Sequence, residues 1–234
     1  GFLVGVEQLE GPKMMDLQSI GRPADPALVI IAVERLHFEG ATTAVEAVFG
    51  EQLANRHRHT KGQHGWHRDN TIGSTPQLNQ QQPDWTEFWR EQRLLPQLNW
   101  AAQKGFGGRL QKDGQQLCSA LHLLLGDHRP AASLLHGDLW SGNYGFSSEG
   151  QPIIFDPAVY FGDRETDLAM TELFAGFAPE FFRAYFETYP VDDGYELRKI
   201  LYNLYHILNH LNLFGGGYLS QCESMIQRLL AKTR

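Results

Sequence analysis

The side chains best suited to chemistry lie between residues 136 and 156. His136, Asp138 and Asn143 form an H-x-D-x-x-x-x-N pattern, and Asp156 follows Asn143 by 13 residues at the end of a short apolar run. Phosphoryl transfer from a nucleotide asks for such a set. One carboxylate must orient the attacking hydroxyl and accept its proton, while an amide oxygen and a second carboxylate hold Mg²⁺ on the phosphates. Asp138 fits the base, and Asn143 with Asp156 fits the metal pair. The plain alternative is a loop with polar turn residues closed by the turn Asp156-Pro157. The joint pattern, with a hairpin between its halves, favours the chemical reading.

These groups need a scaffold, and the chain predicts one that is mostly helical. Residues 27–33, ALVIIAV, read as a buried strand. Residues 44–58 carry apolar positions at helical intervals and end in basic residues, the pattern of an amphipathic helix. Residues 59–83 read as a long surface loop with a glutamine-rich tip. A helix is expected from the N-cap Asp84, with Glu87 three residues on and a break or kink at Pro96. Another covers about 111–125. Short apolar stretches at 134–135, 144–146 and 153–155 read as two short strands joined through a loop, and helices are expected at about 165–176, 179–189, 194–213 and 217–232. The fold class is α+β: a helical body, a small central β element and a remnant of sheet at the start.

Composition sets the outer bounds. The 234 residues are 42% hydrophobic and 20% charged, enough apolar material for a core. The formal net charge of −7 argues against a basic face for nucleic acid. No run reaches the roughly 18 apolar residues of a membrane helix, and the start does not read as a signal peptide. Cys118 and Cys222 stand far apart and form no disulfide framework. A cytoplasmic protein with no nucleic-acid or membrane partner is expected; the sequence does not give the oligomeric state.

Other signals have plainer readings. His57, His59, His64 and His67 lack a carboxylate or thiol among them and read as solvated loop histidines rather than a metal site. His206 and His210 share a helix face, but Ile207 stands where a zinc H-E-x-x-H motif needs Glu, so core or substrate-side packing is expected. Trp85, Phe88, Trp89 and Trp100 read as core. Gly215–217 and 105–108 read as turns, and Asp192-Asp193 as a helix cap.

The stretch H-G-D-L-W-S-G-N at 136–143, with I-I-F-D-P-A-V-Y-F-G-D-R-E-T-D-L-A-M at 153–170, resembles the fructosamine kinase (ketosamine-3-kinase) family, within the aminoglycoside-phosphotransferase and protein-kinase-like superfamily. So do residues 65–77, 85–98 and 204–218, and the likeness covers about 44–232. The resemblance implies a protein-kinase-like fold with a mostly helical C-terminal lobe, a short central hairpin and an incomplete N-terminal lobe. The boundary then falls between 1–38 and 39–234. It also implies Asp138 as catalytic base, Asn143 and Asp156 as Mg²⁺ ligands, His136 as a brace of the loop, and Trp140 as a flat surface for a sugar ring. Asp167 would tie a helix start to the catalytic loop, and the backbone near Glu34, Arg35 and Leu36 would meet adenine.

The implied activity is ATP- and Mg²⁺-dependent phosphorylation of a sugar hydroxyl on a glycated amine, a step in deglycation. The alternatives are a pseudokinase that binds substrate only, and another small-molecule kinase of the aminoglycoside or choline type. Only 26 residues precede the hinge strand, too few for the Gly-rich loop and phosphate-binding lysine of a complete kinase. Glu7 and Lys13 are poor substitutes, so weak or no turnover is expected of these 234 residues alone.

Overall fold

A computed structural model describes residues 43–147 and 149–233. The boundary at 38/39, the apolar run 27–33, Glu7, Lys13 and the hinge residues Glu34, Arg35 and Leu36 lie outside the described residues. Helix α1 (Thr43–Arg56) opens the described part. It is followed by β1 (Thr60–Lys61) and the hairpin of β2 (Asn70–Ile72) and β3 (Thr75–Gln77). Helices α2 (Trp85–Trp89), α3 (Leu95–Gln103) and α4 (Arg109–Leu125) come next. Four short strands then run as β4 (Ala132–Leu135), β5 (Tyr144–Phe146), β6 (Pro152–Ile154) and β7 (Tyr160–Gly162). The chain ends in α5 (Glu165–Leu173), α6 (Pro179–Thr188), α7 (Tyr195–Phe214) and α8 (Leu219–Leu230). The architecture is the expected α+β one, with helices dominant and small antiparallel sheets.

Two aromatic-rich cores hold it together. The larger lies between α2–α4 and α7–α8, where Trp85, Trp89, Leu121, Tyr202, Leu208 and Ile226 are buried. The smaller lies between α1 and α6, where Phe49, Leu53, Phe181 and Tyr185 meet Leu139 and Ile154. Burial of such large apolar side chains is the main favourable term in folding. Asp84 caps α2 as its sequence position indicates, its carboxylate accepting the N–H of Glu87 at 2.9 Å.

Strand pairing positions the chemistry. In the order β1-β4-β7, Leu135 lies opposite Tyr160, so His136 leaves the sheet at a fixed point. In the hairpin β5–β6, Tyr144 lies opposite Ile154. The residues flanking that pair are Asn143 and Phe155, and the Phe155 N–H donates to the Asn143 carbonyl at 3.1 Å. The 13-residue spacing is therefore one hairpin, folded so that 143 and 156 leave it from the same end.

The structure corrects four expectations. Residues 59–83 are not simply a surface loop: they add β1 to the central sheet and form the β2–β3 hairpin. A two-residue strand carries no periodicity to read. Pro96 does not break its helix. A π-helical turn, Arg90–Leu94, joins α2 to α3, with the Leu95 N–H reaching back to the carbonyl of Arg90; this wider turn absorbs the carbonyls that proline leaves without a donor. His57 and His64 are buried rather than solvated. Trp100 is only half-buried, unlike Trp85 and Trp89. Among the described residues no helix is long and apolar enough to cross a membrane.

Candidate active site

The loop after β4 is held by a buried carboxylate. Asp167, in the first turn of α5, accepts the backbone N–H groups of His136 at 2.7 Å and Gly137 at 2.8 Å. It also accepts Nε2–H of His57 at 3.2 Å. Burial alone would raise its pKa, but the hydrogen bond from His57, with those from the loop, outweighs burial and holds it below the ordinary carboxylate value. Gly137 sits at φ +83°, and a Cβ there would lie 2.1 Å from the Ala158 carbonyl. The segment after Asp156 crosses too close for any side chain at 137.

His136 is fully buried, so it acts on the loop rather than on a ligand. Its Nε2–H donates to the Phe155 carbonyl at 2.8 Å, and its Nδ1 accepts the Asp138 N–H at 3.3 Å. Both ring nitrogens are committed to a neutral tautomer. Burial pushes its pKa down, with Asp167 opposing. The ring thus spans the two halves of the motif, from the backbone of 138 to that of 155.

Asp138 and Asn143 meet. The Asn143 amide nitrogen donates to the Asp138 carbonyl at 2.9 Å and to its carboxylate at 3.4 Å. The amide nitrogen being used, the amide oxygen is left for a cation. Asp156 has φ +51°, a left-handed conformation rare for a non-glycine residue, and is exposed. Among the described residues its carboxylate makes no hydrogen bond or ion pair. The amide oxygen of Asn143 and the carboxylate of Asp156 are hard oxygen donors, the kind that suits Mg²⁺. Burial, then the charges of Asp167 and Asp156, raise the pKa of Asp138 to about 7, against the hydrogen bond from Asn143. A carboxylate poised near neutrality can hold or release a proton.

On its other side Asp138 borders a cavity of about 390 Å³ between the loop, the β2–β3 turn, α5 and α7. Trp140, His206, Asn209 and His210 also line it. His206 and His210 thus reach the cavity, as the substrate-side alternative has it. Burial, and then the neighbouring His210, push His206 down to a pKa of about 3, so it is a neutral hydrogen-bonding group. The β2–β3 hairpin grips the far side of the site: Gln77 Nε2 donates to the Ala158 carbonyl at 2.9 Å and Asn70 Nδ2 to the Val159 carbonyl at 2.8 Å.

Several supporting residues escape sequence reasoning. The Arg164 guanidinium donates to the Tyr185 hydroxyl at 3.1 Å, and that hydroxyl donates to Nδ1 of His57 at 2.7 Å. Nε2–H of His57 then faces Asp167, so a relay of hydrogen bonds runs from α6 to the loop. His57 lies 110 positions from Asp167, and no local pattern signals their pairing. His128, Asp163 and Glu165 also converge, close enough for a metal. Their atoms are already engaged: Tyr202 donates to Asp163 at 2.6 Å, and Arg198 clamps both oxygens of Glu165 at 2.6 and 2.8 Å. This is a structural ion-pair network.

Comparison with known proteins gives one answer. A family model described as fructosamine kinase matches residues 10–232. A probable ketoamine kinase of Synechocystis is 48% identical over 182 residues, 77% of this chain and 61% of the relative. A chloroplastic protein-ribulosamine 3-kinase of Oryza sativa subsp. japonica is 42% identical over 202 residues, 86% of this chain and 58% of the relative. A candidate fructosamine-3-kinase of Thermobifida fusca, solved by crystallography, superposes with a TM-score of 0.79 at 32% identity, covering 85% of this chain and 69% of that one. The chain spans about three fifths of the length of the curated relatives it matches.

Proposed function

The chain belongs to the fructosamine kinase family, and from that premise we propose that it forms the acceptor side of an ATP-dependent kinase acting on ketosamines. The γ-phosphate of ATP passes to a sugar hydroxyl of a glycated amine, a step in reversing glycation. The reading is carried by the position of Asp138, whose carboxylate touches Asn143 on one side and borders the cavity on the other. An acceptor hydroxyl in that cavity meets its base at the place where the cation ligands begin.

Asp138 orients the acceptor hydroxyl and takes its proton. Its pKa of about 7 suits a general base near neutral pH. His136 and Asp167 fix the loop that carries it. Trp140 presents an indole face to the sugar. Asn143 and Asp156 would hold Mg²⁺, which when bound neutralises charge on the phosphates. Residues Glu34, Arg35 and Leu36 remain the proposed adenine contact. A cytoplasmic setting accords with Cys118 and Cys222, both buried and free.

Among the described residues, Asp138 is the one carboxylate lining the cavity. A polycationic aminoglycoside is better served by several acidic groups, so the lining speaks against that type of acceptor. Calorimetric titration of the chain tests the choice. Deoxyfructosyl-lysine should bind saturably, and choline and an aminoglycoside should not. Binding of choline or the aminoglycoside in place of the ketosamine would overturn the reading.

A further inference from the structure

The Tyr144 hydroxyl joins three parts of the fold. It lies 3.0 Å from Oε1 of Glu46 on α1 and 2.9 Å from the carbonyl of Gly176, in the turn between α5 and α6. A hydroxyl has one proton to donate, and a carbonyl has none. Both contacts are hydrogen bonds together only if Tyr144 donates to Gly176 and Glu46 donates to Tyr144. The carboxyl must then carry a proton.

The surroundings agree. Glu46 is buried, and its Oε2 is shielded with no hydrogen-bond partner. The Ala178 N–H and the Glu180 carboxylate, at the start of α6, also face the carboxyl, and among the described residues no cation does. Burial raises its pKa and the charge of Glu180 adds to this, against the contacts with Tyr144 and Ala178. As an anion Glu46 would leave a charged oxygen bare in a shielded place, whereas as an acid it leaves only a carbonyl oxygen.

The chain of hydrogen bonds ends at the base of the β5–β6 hairpin. Tyr144 directly follows Asn143, whose carbonyl accepts the Phe155 N–H at 3.1 Å and whose own N–H donates to the Trp140 carbonyl at 2.9 Å. The Tyr144 ring packs 4.5 Å from that of Phe177 and 5.1 Å from that of Phe49. Gly176 presses on the loop that carries Asp138, where a Cβ at 176 would lie 2.4 Å from Cβ of Ser141. Helix α1 and the α5–α6 turn are thus tied to the residues on either side of Asn143.

We propose that Glu46 is a positioning residue, a neutral carboxylic acid that donates to the Tyr144 hydroxyl and thereby fixes the hairpin base from which Asn143 leaves. Its bearing on phosphoryl transfer rests on the reading above, which gives Asn143 to the cation. Glu46→Gln keeps an N–H donor for Tyr144, and Glu46→Ala removes it.

Two measurements on the chain, without nucleotide, cation or ketosamine, decide it. With ¹³C-labelled glutamate, the carboxyl resonance that is missing in Glu46→Gln should titrate above those of the exposed glutamates. Below that titration, hydrogen exchange of the Asn143 and Phe155 amides should be about tenfold or more faster in Glu46→Ala, and within about threefold of the parent in Glu46→Gln. Tyr144→Phe breaks the same chain and keeps the ring, so it should match Glu46→Ala and takes its place if the alanine variant does not fold. A Glu46 resonance that titrates with the exposed glutamates would overturn the inference. So would a glutamine variant that exchanges as fast as the alanine one, or unchanged exchange in Tyr144→Phe. No result here involves a ketosamine, so the reading above stands or falls separately, by the titration with deoxyfructosyl-lysine.

Discussion

The carboxylate of Asp167 accepts Nε2–H of His57 at 3.2 Å, and both side chains are almost wholly shielded from solvent. This contact fixes the histidine tautomer, because Nδ1 already accepts the Tyr185 hydroxyl at 2.7 Å. Burial lowers the pKa of His57 although Asp167 favours its charged form, so the ring serves as a neutral donor. Asp167 in turn holds the two N–H groups that set the loop carrying Asp138. The residue that follows α1 thereby supports the loop that carries Asp138 through one side chain.

Replacing His57 removes one of the three donors on a buried carboxylate. His57→Ala should lower stability by about 2–4 kcal/mol, the range for an under-satisfied buried charge. His57→Gln, which can keep an N–H donor near Asp167, should lose less. Urea denaturation of the three proteins measures both changes.

Asp138 should destabilise the fold at high pH. Its pKa is raised to about 7 by burial and like charges, against about 3.9 in an unfolded chain. Between these values the native state binds more protons than the unfolded one, so its stability falls as pH rises through that window. Above pH 7 the cost is complete, on the order of 2–4 kcal/mol by the linkage relation. Asp138→Asn should therefore be more stable than the parent at pH 8, and the advantage should vanish near pH 4. Thermal unfolding at the two pH values reads the difference.

Gly137 admits no side chain. Gly137→Ala meets both the φ of +83° and the Ala158 carbonyl 2.1 Å from the new Cβ. A loss of about 3 kcal/mol or more is expected from the combined strain and clash. The movement of 137 also displaces Asp138, so calorimetry with deoxyfructosyl-lysine should show at least tenfold weaker binding.

How far the sequence could be read follows from distance along the chain. Asp138, Asn143 and Asp156 lie within one loop and one hairpin, so spacing alone placed them near one another. Trp85 and Trp89 announced a core through helical periodicity, and Asp84 announced its cap. His57 and His64 did not announce their burial. Their surroundings come from α5, α6 and the Trp85 ring, which lies tilted against His64 at 5.0 Å, and a basic, histidine-rich stretch looks solvated until those partners arrive. The meeting of Phe174 and Phe214 at the cavity was equally hidden, since 40 positions separate them. Pro96 does not end its helix, because the π-turn before it accommodates the missing donor.

The central claim is that Asp138 is the base for phosphoryl transfer to a ketosamine. It is tested most directly by the rate of transfer from ATP to deoxyfructosyl-lysine in this chain, fused to the segment of the Synechocystis relative that precedes their matched region. The fusion should phosphorylate the ketosamine in the presence of Mg²⁺, and Asp138→Asn should lower the rate by about 10²–10⁴, the usual worth of a general base, while the ketosamine still binds. An Asp138→Asn protein that transfers phosphate within a few-fold of the parent rate would contradict the account.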